Sequence, residues 1–240
     1  MRKLIAVLVG LALSGCVMPE EAIKTAPEPV QTATTNPGAP LPPNVAARNF
    51  VTAVNAVEPV AEAYCRAQSR GQSCDFLIVI DDRPSQAPNA FQTLDPNGRP
   101  ILAFNLALIA NARNIDELAF VIGHESAHHI LSHIPQTQQS ASQGALLAGL
   151  LVAVGGGGAG AIEQAQQIGA SVGARRFSKG FELEADALGA EITERAGFDA
   201  LRGAAFFDRL ADPGNQFLGS HPPNAERRAT VARAVAAMRQ

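Results

Sequence analysis

The chain opens on an apolar run, Leu4 to Leu13, behind two cations, Arg2 and Lys3. That run has signal-peptide length and is short for a permanent span, which takes about 20 apolar residues. Periodicity then disappears up to residue 45. Pro19, Pro27, Pro29, Pro37, Pro40, Pro42 and Pro43 alternate with Thr, Ala, Glu and Gln, a composition with nothing to bury. A helical period begins with Phe50, Val54, Val57, Ala61 and Tyr64, which mark one face of a first helix; Pro59 is expected to kink it. Phe76 to Ile80 reads as a buried strand, and Phe91–Leu94 with Ile101–Phe104 as a hairpin turned by Asp95-Pro96-Asn97-Gly98. Leu118, Phe120, Val121 and Ile122, followed by Ile130, Leu131 and Ile134, predict a strongly apolar helix. Asn114 and Glu117 are its expected N-cap and N3 partner, and Pro135 its expected stop. A helix around Glu182 follows, then two more over roughly 199–210 and 224–238. The order of elements predicts an α+β fold, mainly helical with a small sheet.

The apolar helix carries His124-Glu125-Ser126-Ala127-His128, an HExxH pattern. Residues four apart share a helix face, so both imidazoles can reach one metal ion. Zinc brings a bound water to a pKa of about 7, and the carboxylate of Glu125 can take its proton. Two ligands and a general base for hydrolysis are therefore in place. The surrounding residues are apolar, and buried polar groups need partners, which a metal would supply. The third ligand must come from elsewhere. In the extended pattern HExxHxxGxxH the glycine position is Leu131 here and the last histidine Ile134, so that class is excluded. Phe181 to Gly189 offers Glu182 and Glu184. Glu182 shares a face with Asp186, and Glu184 lies roughly 200° round the helix from Glu182, so only one of the two can face the metal.

Taken in order, Asn114-Ile115-Asp116-Glu117-Leu118-Ala119, Gly123 to His128, Glu182-Leu183-Glu184-Ala185-Asp186, and His221-Pro222-Pro223 with Arg227 resemble one family. It is the gluzincin family of zinc metalloproteases that includes HtpX, the CAAX prenyl endopeptidases, BepA and LoiP. The resemblance covers residues 47 to 238 and implies a zincin-like metalloprotease domain binding one Zn2+ per chain. It assigns the third ligand to Glu182, which stands four residues before the Asp of the family's ExxxD pattern. Asp186 then holds the site in place, with Arg227 as its charged partner. The family's matching histidine places His221 near the metal, as an oxyanion donor or as a resting-state ligand. His133 also matches a family histidine but is off the ligand face, and is expected to support the site from outside. His129 points about 100° away from His128 and is expected to be neither ligand nor base.

Gly144 to Ile162 is uncharged, apolar and Gly-rich, and long enough to suggest a membrane span. The proposed ligands argue against one. His128 precedes it and Glu182 follows it, and a single crossing would separate them. Gly155 to Gly158 also break a helix. Two short helices joined by a flexible turn are expected.

Leu13-Ser14-Gly15-Cys16 looks like a bacterial lipobox. The expectation is a signal peptide over 1–15, a diacylated Cys16, a Pro-rich tether over 16–45 and a catalytic domain over 46–240. The tether could reach roughly 90 Å. Two acyl chains anchor stably where one does not. Val17, where an Asp would favour retention, points to the periplasmic face of the outer membrane. Cys65 and Cys74 flank a short polar turn and are expected to pair in an oxidising compartment, contributing roughly 2.6 kcal/mol. Loss of residues 1–15 removes Arg2 and Lys3 and takes the net charge from −3 to −5; with no basic run, nucleic acid is a poor partner. The expected function is zinc-dependent endopeptidase of the bacterial envelope, acting on unfolded or misassembled envelope proteins. A non-proteolytic envelope chaperone with a zinc site and a metal-dependent cell-wall amidase are the alternatives.

Overall fold

The computed structural model describes residues 40–68, 71–176, 178–210 and 221–240. The expected signal peptide, Cys16 and the tether up to residue 39 lie outside these. The first described helix, α1 (Pro43–Gln68), takes in the last three residues of the expected tether. Proline suits a first helical turn, where its missing N–H would have no partner anyway. Ala46, Phe50, Ala53, Val57, Ala61 and Cys65 form the buried stripe of α1, and the helix continues through Pro59.

Three strands follow: β1 (Leu77–Asp81), β2 (Ala90–Leu94) and β3 (Pro100–Asn105). Their order is β1-β3-β2, with β3 parallel to β1 and antiparallel to β2. The expected hairpin is present. The Asp95 carboxylate accepts from the backbone N–H groups of Asn97 and Arg99, both at 2.8 Å, which fixes the turn. The strand expected at Phe76–Ile80 is corrected: it runs from Leu77 and is only half-buried, with Ile80 exposed. As an outer strand it has one flank open, and the buried position falls to β3, which hides Leu102, Ala103 and Phe104.

A short helix, α2 (Leu106–Asn111), leads into α3 (Ile115–Ile130), which is buried along almost its whole length. It lies between α1 on one side and α6 (Ser178–Arg195) on the other. Phe50 meets Phe104 edge-on at 5.3 Å in the main core. A smaller cluster, Phe120, Phe207, Val231 and Val235, joins α3 to α8 (Asn224–Met238) through α7 (Ala200–Gly203) and a 3-10 turn (Ala204–Arg209). Asn114 caps α3 as expected, accepting from Glu117 N–H at 3.0 Å. Glu117 does not return the bond to Asn114. Its carboxylate accepts from Arg113 N–H at 2.8 Å and holds Arg209 at 2.6 and 2.8 Å. A fully buried carboxylate needs such a cation more than the cap needs a second bond.

Pro135 does not stop α3. The helix ends at Ile130, Ser132 takes a left-handed conformation with φ 59°, and α4 (His133–Val154) starts at once. Pro135 therefore sits in the first turn of α4, where an N–H has no acceptor to lose. The Gly144–Ile162 segment forms the end of α4, a turn over Gly155–Gly158, and the start of α5 (Ala159–Arg175). The two helices touch backbone to backbone at Gly144 and Gly169. No described helix is long and apolar enough to cross a membrane, yet Leu146, Leu147, Leu150, Leu151 and Val154 are exposed.

Candidate metal centre

The site begins with a close approach of two helices. A methyl group on Gly123 would fall 2.8 Å from the carbonyl oxygen of Gly189, and one on Gly189 would fall 2.8 Å from the backbone nitrogen of His124. Only glycine allows α3 and α6 to meet so closely. The crossing sets His124 and His128, one turn apart on α3, against Glu182 and Asp186, one turn apart on α6.

His124, His128 and Glu182 each offer a ligand atom, and these atoms lie within 4.8 Å of one another. The two Nε2 atoms are 3.1 Å apart. Glu182 stands 3.7 Å from His124 Nε2 and 3.5 Å from His128 Nε2. The tautomer of His124 follows from its other nitrogen, where Nδ1–H donates to Asp186 at 2.9 Å. Its Nε2 is then a lone pair facing a second imidazole nitrogen and a carboxylate. Three electron-rich atoms converging in a buried place suit a divalent cation, and two imidazoles with one carboxylate suit zinc among them.

Asp186 is wholly buried and is gripped by Arg227, which donates through Nε at 2.8 Å and through a terminal nitrogen at 2.6 Å. Arg227 lies over the Phe207 ring at 3.8 Å. Burial alone would lower the Arg227 pKa, but the pairing with Asp186 raises it, so the guanidinium stays charged. Burial alone would raise Glu182. The hydrogen bond from His221 and the charges of His124, Arg227 and His128 instead hold it well below the usual carboxylate range. Burial takes His128 down to about 3, leaving it neutral, the form that ligates. Burial also lifts Glu125 up to about 7, with the negative charge of Glu182 adding to the rise.

Glu125 faces the same cleft, with Gln92 of β2 also on its wall. The cleft holds about 470 Å³ and is lined by His124, Glu125, His128, Glu182, His221 and Arg227. Phe91 of β2 and Phe181, Phe206 and Phe207 supply apolar wall. His221 Nδ1 lies 3.2 Å from Glu182, and its ring is about half exposed. All seven residues read from the sequence, His124, Glu125, His128, Glu182, Asp186, His221 and Arg227, are thus brought together. Glu184 turns away, 60% exposed, and meets His133. His129 also turns away, donating from Nε2 to the Ser73 carbonyl at 2.6 Å.

Cys65 and Cys74 form the expected disulfide. The loop it closes has a role that spacing did not reveal. The Gln72 side-chain amide donates to the carbonyls of His129 and Ile130, at 3.3 and 3.2 Å, and Ser132 Oγ donates to Gln72 Oε1 at 2.9 Å. The end of the ligand-bearing helix has carbonyls without intrahelical partners, and the disulfide loop satisfies them.

The sequence matches peptidase family M48 across residues 54–235, which takes in every residue of this site. The chain belongs to this family. M48 peptidases are metal-dependent hydrolases, and the expected gluzincin resemblance holds. A provisionally named beta-barrel assembly-enhancing protease of Vibrio cholerae serotype O1 is 34% identical over 118 residues, covering 46% of this chain and 24% of that protein. The beta-barrel assembly-enhancing protease of Yersinia pestis is 29% identical over 144 residues, covering 57% of this chain and 28% of that protein. The M48 chain thus spans about a quarter of the length of these curated relatives.

Proposed function

We propose that this M48 chain is a zinc-dependent endopeptidase of the bacterial envelope, acting on unfolded or misassembled envelope proteins. The observation that carries this reading is the convergence of His124, His128 and Glu182 with Glu125 in one cleft beside the open edge of β2. When bound, zinc supplies Lewis acidity, polarising a carbonyl oxygen and making a water acidic near neutral pH. His124, His128 and Glu182 hold it, and Asp186 keeps the His124 Nε2 lone pair pointing inward. An extended substrate lies along β2 as an added strand, its side chains against the apolar wall. Glu125 takes the proton of the attacking water and passes it to the leaving amide nitrogen. His221, which donates to Glu182 in this structure, faces the cleft and can donate to the developing oxyanion. The names of the two relatives refer to beta-barrel assembly, which supports envelope proteins as the substrate class.

Casein and peptidoglycan digestion, each with and without chelator, separates this reading from the two others. The purified protein is expected to fragment casein, to stop with chelator and to recover with zinc, leaving peptidoglycan intact. Intact casein with suppressed aggregation would favour a chaperone, and released cell-wall peptides an amidase.

We also propose that a lipid on Cys16 attaches the chain to the periplasmic face of the outer membrane. A version in which residues 1–16 are replaced by an ordinary cleavable secretory signal should be soluble in the periplasm and still cut an unfolded test substrate. Retention in the membrane pellet after a high-salt wash would instead make the exposed leucines of α4 a membrane element.

A further inference from the structure

We propose that His133 is a positioning residue that sets the tautomer and orientation of His128, with Phe181 and Glu184 holding His133 in turn. This rests on the metal reading of the site above. His133 Nδ1 lies 2.9 Å from His128 Nδ1. Two ring nitrogens at that distance share one proton, so one donates and the other accepts. The far nitrogen of His128, Nε2, faces His124 and Glu182 and must keep its lone pair to ligate. The His128 proton is therefore on Nδ1, and His133 Nδ1 accepts it. A neutral His133 then carries its own proton on Nε2, where Glu184 offers a carboxylate oxygen at 3.3 Å. Both ends of the chain agree on one assignment, running from His128 through His133 to Glu184.

The ring of His133 is fixed in its plane as well. Phe181 stacks on it with ring centres 4.3 Å apart and planes 14° apart. The backbone is arranged for the same end. Ser132 adopts φ 59°, a left-handed conformation costly for a residue with a side chain, and the reversal there brings the first residue of α4 back against the last turns of α3. The two histidines at the centre thus have different keepers. His124 has the buried Asp186–Arg227 pair, and His128 has a neutral imidazole supported by an exposed carboxylate. Outer partners of this type commonly change metal affinity by 10–100-fold.

The test uses the full chain loaded with zinc. In protein labelled with 15N at histidine, NMR should show His128 protonated on Nδ1 and His133 protonated on Nε2 alone. In competition with a chromophoric chelator, His133→Phe should bind zinc roughly 10–100-fold more weakly. His133→Asn places an acceptor oxygen near the old Nδ1 position and should recover most of that loss. A proton on His133 Nδ1 in the wild-type protein, a His133→Phe affinity equal to wild type, or equal losses in both variants would overturn the inference. Wild-type protein that binds no stoichiometric zinc would overturn the metal reading itself, and that result is distinct from the other three.

Discussion

Glu125→Gln will keep its zinc and lose most of its turnover, by about 10²–10⁴-fold. The amide has the shape of the carboxylate but cannot take a proton from water. The ligand atoms belong to His124, His128 and Glu182, and none of their contacts passes through Glu125. The carboxylate is held in the cleft at a cost of burial high enough to lift its pKa to about 7, so an amide there relieves the fold rather than straining it. Metal analysis and a peptide assay on the purified variant decide the point. Near-normal proteolysis would remove Glu125 from the role of base.

Glu182→Ala will lower zinc affinity by more than about 100-fold, beyond what loss of an outer partner costs, whereas Glu184→Ala will lower it by about tenfold at most. Glu182 is the proposed third donor, with its two oxygens at 3.7 and 3.5 Å from the imidazole nitrogens. Its removal also takes away the second carboxylate near Arg227, whose terminal nitrogen is 3.4 Å from it, and leaves that cation paired with Asp186. Glu184 reaches the centre only through His133. Competition titrations on both variants give the comparison, and the reverse ranking would mean that the ligand is Glu184.

The ligand geometry was legible because helical spacing is a strong rule. Four-residue intervals put His124 with His128 and Glu182 with Asp186 and allowed only one of Glu182 and Glu184 to face the metal; the family resemblance pointed to Glu182. What brings the two faces together was not legible. Gly123 and Gly189 allow the crossing, and small residues leave no periodic trace. His133 was expected to support the site from outside, but its contact with His128 was not legible: it depends on a left-handed turn at Ser132, a residue type that does not announce one. Pro135 misled as a stop signal because a proline is equally at home in the first turn of the next helix. An apolar run such as Phe76 to Ile80 marks a strand without telling an outer strand from a buried one. Gln72 could not be placed from sequence, because a cap supplied by a distant loop carries no local pattern, although the Cys65–Cys74 spacing did announce the loop itself.

His124, His128 and Glu182 are proposed to hold one zinc ion. Crystals of the purified protein grown with zinc, with data collected on both sides of the zinc absorption edge, test this most directly. One strong anomalous peak per chain is expected, about 2.0–2.2 Å from His124 Nε2, His128 Nε2 and a Glu182 oxygen. A peak held by other residues, or no peak at this position in protein that cuts peptides, would contradict the assignment.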